Sequence, residues 1–517
     1  MTDHSASAEL ADPRSASAGT YPVGAHTAGA HPGAHPGGLR VAVIGAGPAG
    51  FYTALAILED ASLGAQVDMF DRLPAPYGLV RYGVAPDHQK IKSVTKVFER
   101  GAQAAGGRYR FFGNVQLGSD VTLGELRARY HAVVLSFGAQ SDRHLEIFGE
   151  GLPGVYAARE FVAWYNGHPD FIRARFDLSA EHAVVVGIGN VAIDVARMLA
   201  HTPEELLATD TSDEALALLT ESRVRDITIL ARRGPLQAAC TPVELRELTQ
   251  MAGADLVVPE DELVLDPISQ AQLDAGEVDQ QARRNYEILK NSALREARPG
   301  RKVIRLRFYA SPVEILGRQR VTGMRLRKNE IIQDSKGRQQ TVPLESSEEI
   351  PCGVVFRSIG YKVSHVPGVP YDFKRSLIPH TLGQVLSVDD GLPVPGLFVA
   401  GWAKRGPTGV IGTNKPDAGE TARSLIDAYR ADQLPEPCDG DIEVLLAERH
   451  TPYVSFIDWQ LLDKLEINAG MVQGRPRRKM TDVPAMLKAI ETAESGETTQ
   501  AAESADSVDH AQSPDVN

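Results

Sequence analysis

Two glycine-rich turns, about 140 residues apart, carry the residues whose types and spacing can do chemistry. The first, VAVIGAGPAGFYTALAIL, sets Gly45, Gly47 and Gly50 between a short apolar run and a stretch with helical spacing. Gly45 permits a tight turn, Gly47 lets the backbone approach a pyrophosphate, and Gly50 lets the helix pack close to the strand. A phosphate then sits at the helix N-terminus, where free N–H groups and the helix dipole favour an anion. The next apolar run, VDMF, ends in Asp71. A carboxylate there accepts hydrogen bonds from both ribose hydroxyls and repels a 2′-phosphate, so this site is expected to hold FAD or NAD and not NADP(H).

The second turn, AVVVGIGNVAIDVARML, repeats the design with Gly187, Gly189 and Ala192, the alanine being small enough for close packing. The strand that follows ends in ITILARRGP, with Arg232 and Arg233 at the end where the first unit has Asp71. Guanidinium groups bind phosphate through paired, charge-assisted hydrogen bonds, so this site is expected to select NADP(H). Two dinucleotide sites of opposite ribose preference imply a flavoprotein fed by NADPH. In such a protein the flavin carries the redox step, and no metal or protein nucleophile is needed.

The elements that must position these residues read as alternating strands and helices, hence an α/β fold. Strands are expected at 40–44, 66–70, 132–137, 183–186, 227–230, 354–359 and 396–400. Helices are expected at 48–58, at 191–199 and from about residue 417. The repeat of the βαβ pattern predicts two nucleotide-binding Rossmann-like domains, the NADP domain inserted within the FAD domain. The expected division is a disordered tail at 1–38, the first part of the FAD domain at 39–142, the NADP domain at 143–366, the second part of the FAD domain at 367–484, and an acidic disordered tail at 485–517. The N-terminal tail, with its near-repeat AHTAGAHPGAHPGG, is poor in apolar residues; His26, His31 and His35 are read as incidental to it.

Composition sets outer limits. The chain has 517 residues, 43% apolar and 23% charged, ordinary for a globular protein of more than one domain. The net charge of −13 argues against a nucleic-acid partner. Seven uncompensated acids after residue 488 supply more than half of it and leave −6 for the rest. Cys240, Cys352 and Cys438 are far apart in sequence and form no CxxC, which removes a redox dithiol and a cluster of the protein's own. Scattered cysteines fit a reducing compartment. With no apolar run of the length a bilayer requires, and no recognisable targeting segment, a cytoplasmic location without membrane contact is expected.

Four longer motifs add specificity: YGLVRYGVAPDHQKIKSV at 77–94, GIGNVAIDVAR at 187–197, ARRGPLQAACTPVELREL at 231–248 and GWAKRGPTGVIGTNKPDAGET at 401–421. Together they resemble the adrenodoxin reductase type of ferredoxin–NADP⁺ reductase, over about residues 39–484. The resemblance implies an FAD site that includes Ala49, Asp71, Leu79, Val115, Trp402 and the loop Gly409–Val410–Ile411. Family members usually carry glutamate where this chain has Asp71, so a looser or water-mediated ribose contact is expected. The implied NADP site includes Gly189, Asn190, Val191, Ala192, Arg232, Arg233 and Glu244, with Gly409 near the nicotinamide. His88 and Glu247 match a histidine and a glutamate implied to handle protons or order water; the plain alternative is a packed turn and a helix-surface carboxylate. Cys240 is read as a small core residue.

The resemblance further implies a monomer that passes single electrons to a ferredoxin or similar small acidic carrier. Bases in the inserted domain (Arg283, Arg284, Lys290, Arg298, Arg301, Lys302, Arg305 and Arg307) are candidates for docking it. The rival enzyme is a glutamate-synthase-small-subunit-like or other NADPH-dependent flavoprotein reductase. The former normally has an N-terminal cysteine-rich cluster domain, whereas residues 1–38 contain no cysteine.

Overall fold

The computed structural model describes residues 38–438, 440–493 and 495. The histidine-rich N-terminal segment and most of the acidic C-terminal segment lie outside them.

Two twisted α/β sheets carry the molecule. The first has seven strands; its parallel core runs, in spatial order, Pro393–Val399, Ala132–Leu135, Arg40–Ile44, Gln66–Phe70 and Tyr109–Phe112. His380–Thr381 and Gln384–Leu386 extend it antiparallel at one edge. The second has six parallel strands in the order Val155–Ala157, Val354–Arg357, His182–Val186, Asp226–Leu230, Lys302–Arg307 and Ala254–Val257. Arg40–Ile44, Ala132–Leu135 and His182–Val186, near the middle of the sheets, are short, largely apolar runs buried on both faces over most of their length, as parallel sheets require. The first sheet takes strands from before and after the second, so the second domain is an insertion in the first. The chain crosses out at Ser141–Asp142 and back at Tyr361–Lys362, and the two crossings pair antiparallel with each other.

The two domains repeat one construction. Gly45 N–H donates to Phe70 O at 2.7 Å, and Gly187 N–H donates to Leu230 O at 2.9 Å. Ser136 N–H donates to Ile44 O, and Ser358 N–H to Val186 O, both at 2.8 Å. Each sharp turn is therefore wedged between the next strand and the crossover strand. Gly45 and Gly187 have φ of +107° and +119°, and a Cβ at either would collide with the backbone of Ser136 or Ser358. Only glycine fits both the dihedral and the space.

A three-stranded antiparallel sheet, Ala310–Gly317, Val321–Gln333 and Gln339–Pro351, projects from the inserted domain. The strand–helix reading of the sequence did not include it. The C-terminal acidic tail also starts later than residue 485. Residues 483–493 are helical, with Met486 and Ile490 one turn apart and buried in the outer core, so this segment does have an apolar face to bury. Cys240 is fully buried in the inserted domain's core, and burial pushes its thiol up to about 12.

Candidate functional site

The two helix N-termini that follow the glycine turns are open. The helix Pro48–Glu59 starts at Gly47 and the helix Asn190–Ala200 at Gly189. Both glycines have ordinary extended dihedrals, φ −84° and −89°, and a Cβ on either would meet nothing within 4 Å. Neither backbone strain nor the protein's own packing demands glycine there; what remains is close approach of a ligand. The N–H groups of Gly189, Asn190 and Val191 find no acceptor among the described residues. Gly50 is different, since its Cβ would lie 2.1 Å from Gly45 O. Ala192 is fully buried and tolerated in the second unit.

Asp71 follows directly on the strand Gln66–Phe70. Its Oδ2 accepts the Ala46 N–H at 2.9 Å and its Oδ1 the Leu73 N–H at 3.0 Å. Burial pushes this carboxyl up, against those two hydrogen bonds and the nearby Arg72 charge. The shorter aspartate is thus clamped to the glycine turn itself, and each oxygen keeps a lone pair for a further donor. The register sharpens the comparison between the units. Ala231 occupies the position of Asp71, and the arginines stand one and two residues further on. Arg232 and Arg233 are exposed, and their guanidinium groups have no hydrogen bond or ion pair among the described residues. Their backbones are fixed: Arg232 O accepts from Asn329 Nδ2 at 2.8 Å and Arg233 O from the Tyr309 N–H at 3.1 Å. Burial, then the neighbouring Arg232 charge, lowers the pKa of Arg233, as expected of cations awaiting an anion.

The 401–415 segment returns over the first glycine turn. A Cβ at Gly401 would come 2.5 Å from Ala49 Cβ, and one at Gly78 would come 3.1 Å from Gly47 Cα. Leu79, next to Gly78, is half-exposed beside the turn, whereas Val115 is buried and donates its N–H to Asp71 O at 2.9 Å. Trp402 Nε1 donates to Thr408 O at 3.1 Å, and its ring lies 5.9 Å from that of Tyr361 on the returning crossover. The N–H groups of Gly409, Val410 and Ile411 find no acceptor among the described residues, just ahead of the helix Asn414–Arg430.

Between the domains lies a charged cluster. His88 Nε2 is 2.6 Å from Glu247 Oε2, and Glu244 Oε2 is 3.7 Å from the same nitrogen. Glu244 and Glu247 share one face of the helix Pro242–Thr249, whose N-cap Thr241 donates its N–H to Asn190 Oδ1 at 2.8 Å. Burial lowers the His88 pKa, but the Glu247 hydrogen bond and the charges of Asp87 and Glu244 outweigh burial and Arg197, so the net shift is upward. Burial works to raise Glu247, but His88 and Arg197 leave it below the ordinary value. His88, Glu244 and Glu247 bring their ligand atoms within 4.8 Å of one another, a metal-like spacing. Arg197 already supplies the cation, bonding the same Glu244 and Glu247 oxygens at 2.9 and 3.0 Å.

A model of the pyridine nucleotide-disulphide oxidoreductase family matches residues 39–248. The NADPH-ferredoxin reductase FprA of Mycobacterium tuberculosis is 43% identical over 459 residues, covering 87% of this chain and 98% of that protein. The chain belongs to the adrenodoxin reductase type of ferredoxin–NADP⁺ reductases. The human mitochondrial NADPH:adrenodoxin oxidoreductase is 42% identical over 469 residues, covering 87% of this chain and 92% of the relative. The structure of M. tuberculosis FprA in complex with NADPH superposes with a TM-score of 0.81 at 42% identity, over 88% of this chain and 99% of that one.

Within this reductase fold, the structure gives partners within the chain to most of the expected docking bases and to Glu244. Most of the supposed docking bases are already spoken for. Arg298 and Arg301 pair with Asp255, Arg305 with Asp226, and Arg307 with Glu262 and Glu348. Lys302 Nζ donates to Leu199 O at 2.8 Å. Only Arg283, Arg284 and Lys290, on the helix Gln280–Ser292, stay exposed without an ion pair among the described residues. Glu244 is buried, and its Oε2 accepts from Arg197 at 2.9 Å. Sequence reading also passed over Asp87, Asp194 and Arg197. The i,i+3 spacing of Asp194 and Arg197, and the place of Asp87 beside His88, were the available signals.

Proposed function

We propose that this chain oxidises NADPH, delivers the hydride to FAD and passes the electrons singly to a ferredoxin-type carrier. The observation that carries this reading is the pair of matched cradles, one ending in a clamped carboxylate and the other in two arginines whose guanidinium groups have no partner among the described residues. Bound FAD supplies the conversion of a two-electron donor into one-electron steps. The protein's part is to bind, orient and shield.

Gly45, Gly47, Ala49, Gly50 and Asp71 would hold the FAD pyrophosphate and ribose, with Leu79 and Val115 beside them. The amides of Gly409, Val410 and Ile411, ahead of a helix, would stabilise negative charge at the flavin ring. Gly187, Gly189, Asn190, Val191 and Ala192 would hold the NADP(H) pyrophosphate, with Arg232 and Arg233 on the 2′-phosphate and Glu244 at the same nucleotide's site. Trp402 would sit at the junction of the two sites. His88 and Glu247 would hold a proton at the interdomain cleft. The division into FAD segments at 39–142 and 367–484 around an NADP segment at 143–366 is supported by the strand order. We read the enzyme as a cytoplasmic monomer: three free cysteines fit a reducing compartment, and the family resemblance implies a single chain. Among the described residues no helix is long and apolar enough to cross a membrane.

The test is direct. The purified protein is expected to be yellow, to bleach anaerobically with NADPH, and to reduce cytochrome c only when a ferredoxin is added. A protein that takes up no flavin, or whose flavin NADPH leaves oxidised, overturns the reading. The open space at Gly189 yields a sharper expectation. Gly189→Ala should cost no more than about 1 kcal/mol of stability, yet weaken NADPH binding about tenfold, because the new methyl points where the pyrophosphate must come. Thermal melts and nucleotide titrations separate the two effects.

A further inference from the structure

At the centre of the interdomain cluster is an arginine that the proposed chemistry has not yet used. Arg197 lies in the last turn of the helix Asn190–Ala200 and is 2% exposed. All three guanidinium nitrogens are engaged. Nε donates to Asp87 Oδ2 at 2.7 Å. One terminal nitrogen donates to Glu244 Oε2 at 2.9 Å and Glu247 Oε2 at 3.0 Å. The other reaches Asp194 Oδ1 at 2.8 Å, Asp87 Oδ1 at 3.3 Å and His88 Nδ1 at 3.3 Å. Asp87 and His88 belong to the outer domain; Asp194, Glu244 and Glu247 belong to the inserted one.

Stability does not call for such a cluster. Burying a guanidinium among four carboxylates costs desolvation that apolar side chains of like volume would avoid. What the arrangement does give is a fixed imidazole. Arginine can only donate, so His88 Nδ1 accepts and the ring proton stands on Nε2, aimed at Glu247 Oε2. The same Oε2 is held from its other side by Arg197. One residue therefore sets the tautomer of His88, the rotamer of Glu247 and the closure of one domain on the other.

We propose that Arg197 is a positioning residue for hydride transfer from NADPH to FAD, locking His88 and Glu247, and with them the two domains, in the geometry the transfer requires. This rests on the function proposed above. The groups facing His88 are Glu244 and Glu247 from one helix, Arg197 and Asp194 from another, and Asp87 from its own turn, with His201 behind Asp87 at 3.0 Å. The Arg197 charge opposes protonation of His88, so its removal moves the ring's titration to higher pH.

The test uses the full-length, FAD-loaded enzyme and its Arg197→Met, Arg197→Lys and Asp87→Asn variants, reduced anaerobically by NADPH and, separately, by dithionite. Arg197→Met is expected to keep its flavin and its dithionite reduction. Its limiting rate with saturating NADPH should fall about tenfold or more, with the inflection of the rate–pH profile displaced upward. Arg197→Lys, which keeps the charge but not the fork, should recover only part of the rate. Asp87→Asn removes the charge from one of the two outer-domain residues that Arg197 holds, leaving the His88 contact and the inserted-domain carboxylates in place, and should slow the NADPH step; it decides the matter if Arg197→Met does not fold. Rates within twofold of the parent, or a loss that follows melting temperature with an unmoved pH profile, would overturn the proposal. A parent enzyme that NADPH does not reduce would instead overturn the function on which it rests.

Discussion

Replacing Arg232 and Arg233 together by Gln is expected to weaken NADPH about a hundredfold while leaving NADH nearly unchanged. A hydrogen bond to a charged group contributes about 1.5–3 kcal/mol, and these side chains are exposed, which places each at the lower end. Two such contacts then amount to about 3 kcal/mol, or about two decades in affinity. The fold should barely notice. Neither guanidinium bonds to another described residue, their backbones are held independently by Asn329 and Tyr309, and removing both relieves a repulsion between neighbours. A change in stability within about 0.5 kcal/mol is the expectation for surface substitutions of this kind. Steady-state KM values for both nucleotides, at low and high salt, make the comparison. The NADPH penalty should shrink as salt rises, because the parent loses its advantage to screening. An equal loss for NADPH and NADH would mean that the pair does not read the 2′-phosphate.

Much of this site was legible because its signals are local. Asp71 and Arg232–Arg233 are each a few residues from the strand that presents them, and the glycine turns lie between a strand and a helix whose periodicities differ. The strands 40–44 and 66–70 appear as expected to the residue. What the sequence hid depends on distant partners. Arg197 reads as an ordinary helical residue, yet its bonds reach Asp87, 110 positions away, and Glu247, 50 positions away. The basic run at 298–307 reads as a free surface for an acidic protein until Asp255, Asp226 and Glu262 are seen to pair with four of its five bases. The hairpin 321–351 escaped because its second strand is mostly exposed and polar, so no apolar period marks it. Its turn at Asp334–Gly337, with Gly337 at φ +74°, was the one local cue.

The largest effect on stability is expected at Glu466, which joins the helix Phe456–Met471 to the motif around the first glycine turn. Its two oxygens accept from the two terminal nitrogens of Arg81 at 2.6 and 2.8 Å, and both side chains are buried. The Met480 N–H adds a hydrogen bond at 2.9 Å, and Arg477 lies 3.3 Å away. The Arg81 guanidinium is also sandwiched, 5.1 Å from the ring centres of Tyr82 and Trp459. Glu466→Ala leaves a buried cation without its anion, and the cost of breaking such a pair from one side is about 3–5 kcal/mol. The double variant Arg81→Met/Glu466→Leu removes both charges and should recover much of that loss, since a paired buried charge contributes little over an apolar pair of like volume. Arg477 keeps Asp463 as its partner and should limit the recovery only modestly. Urea unfolding of the holoenzymes, followed by circular dichroism, supplies the cycle. A Glu466→Ala protein within about 1 kcal/mol of the parent would show that water or Arg477 rearrangement satisfies Arg81. A double variant no better than the single one would show that the pair contributes more than relief from an unpaired charge. Because Arg81 lies two residues beyond Leu79, the single variant is also expected to release FAD at lower urea than it loses its helices, whereas the double variant should lose both together.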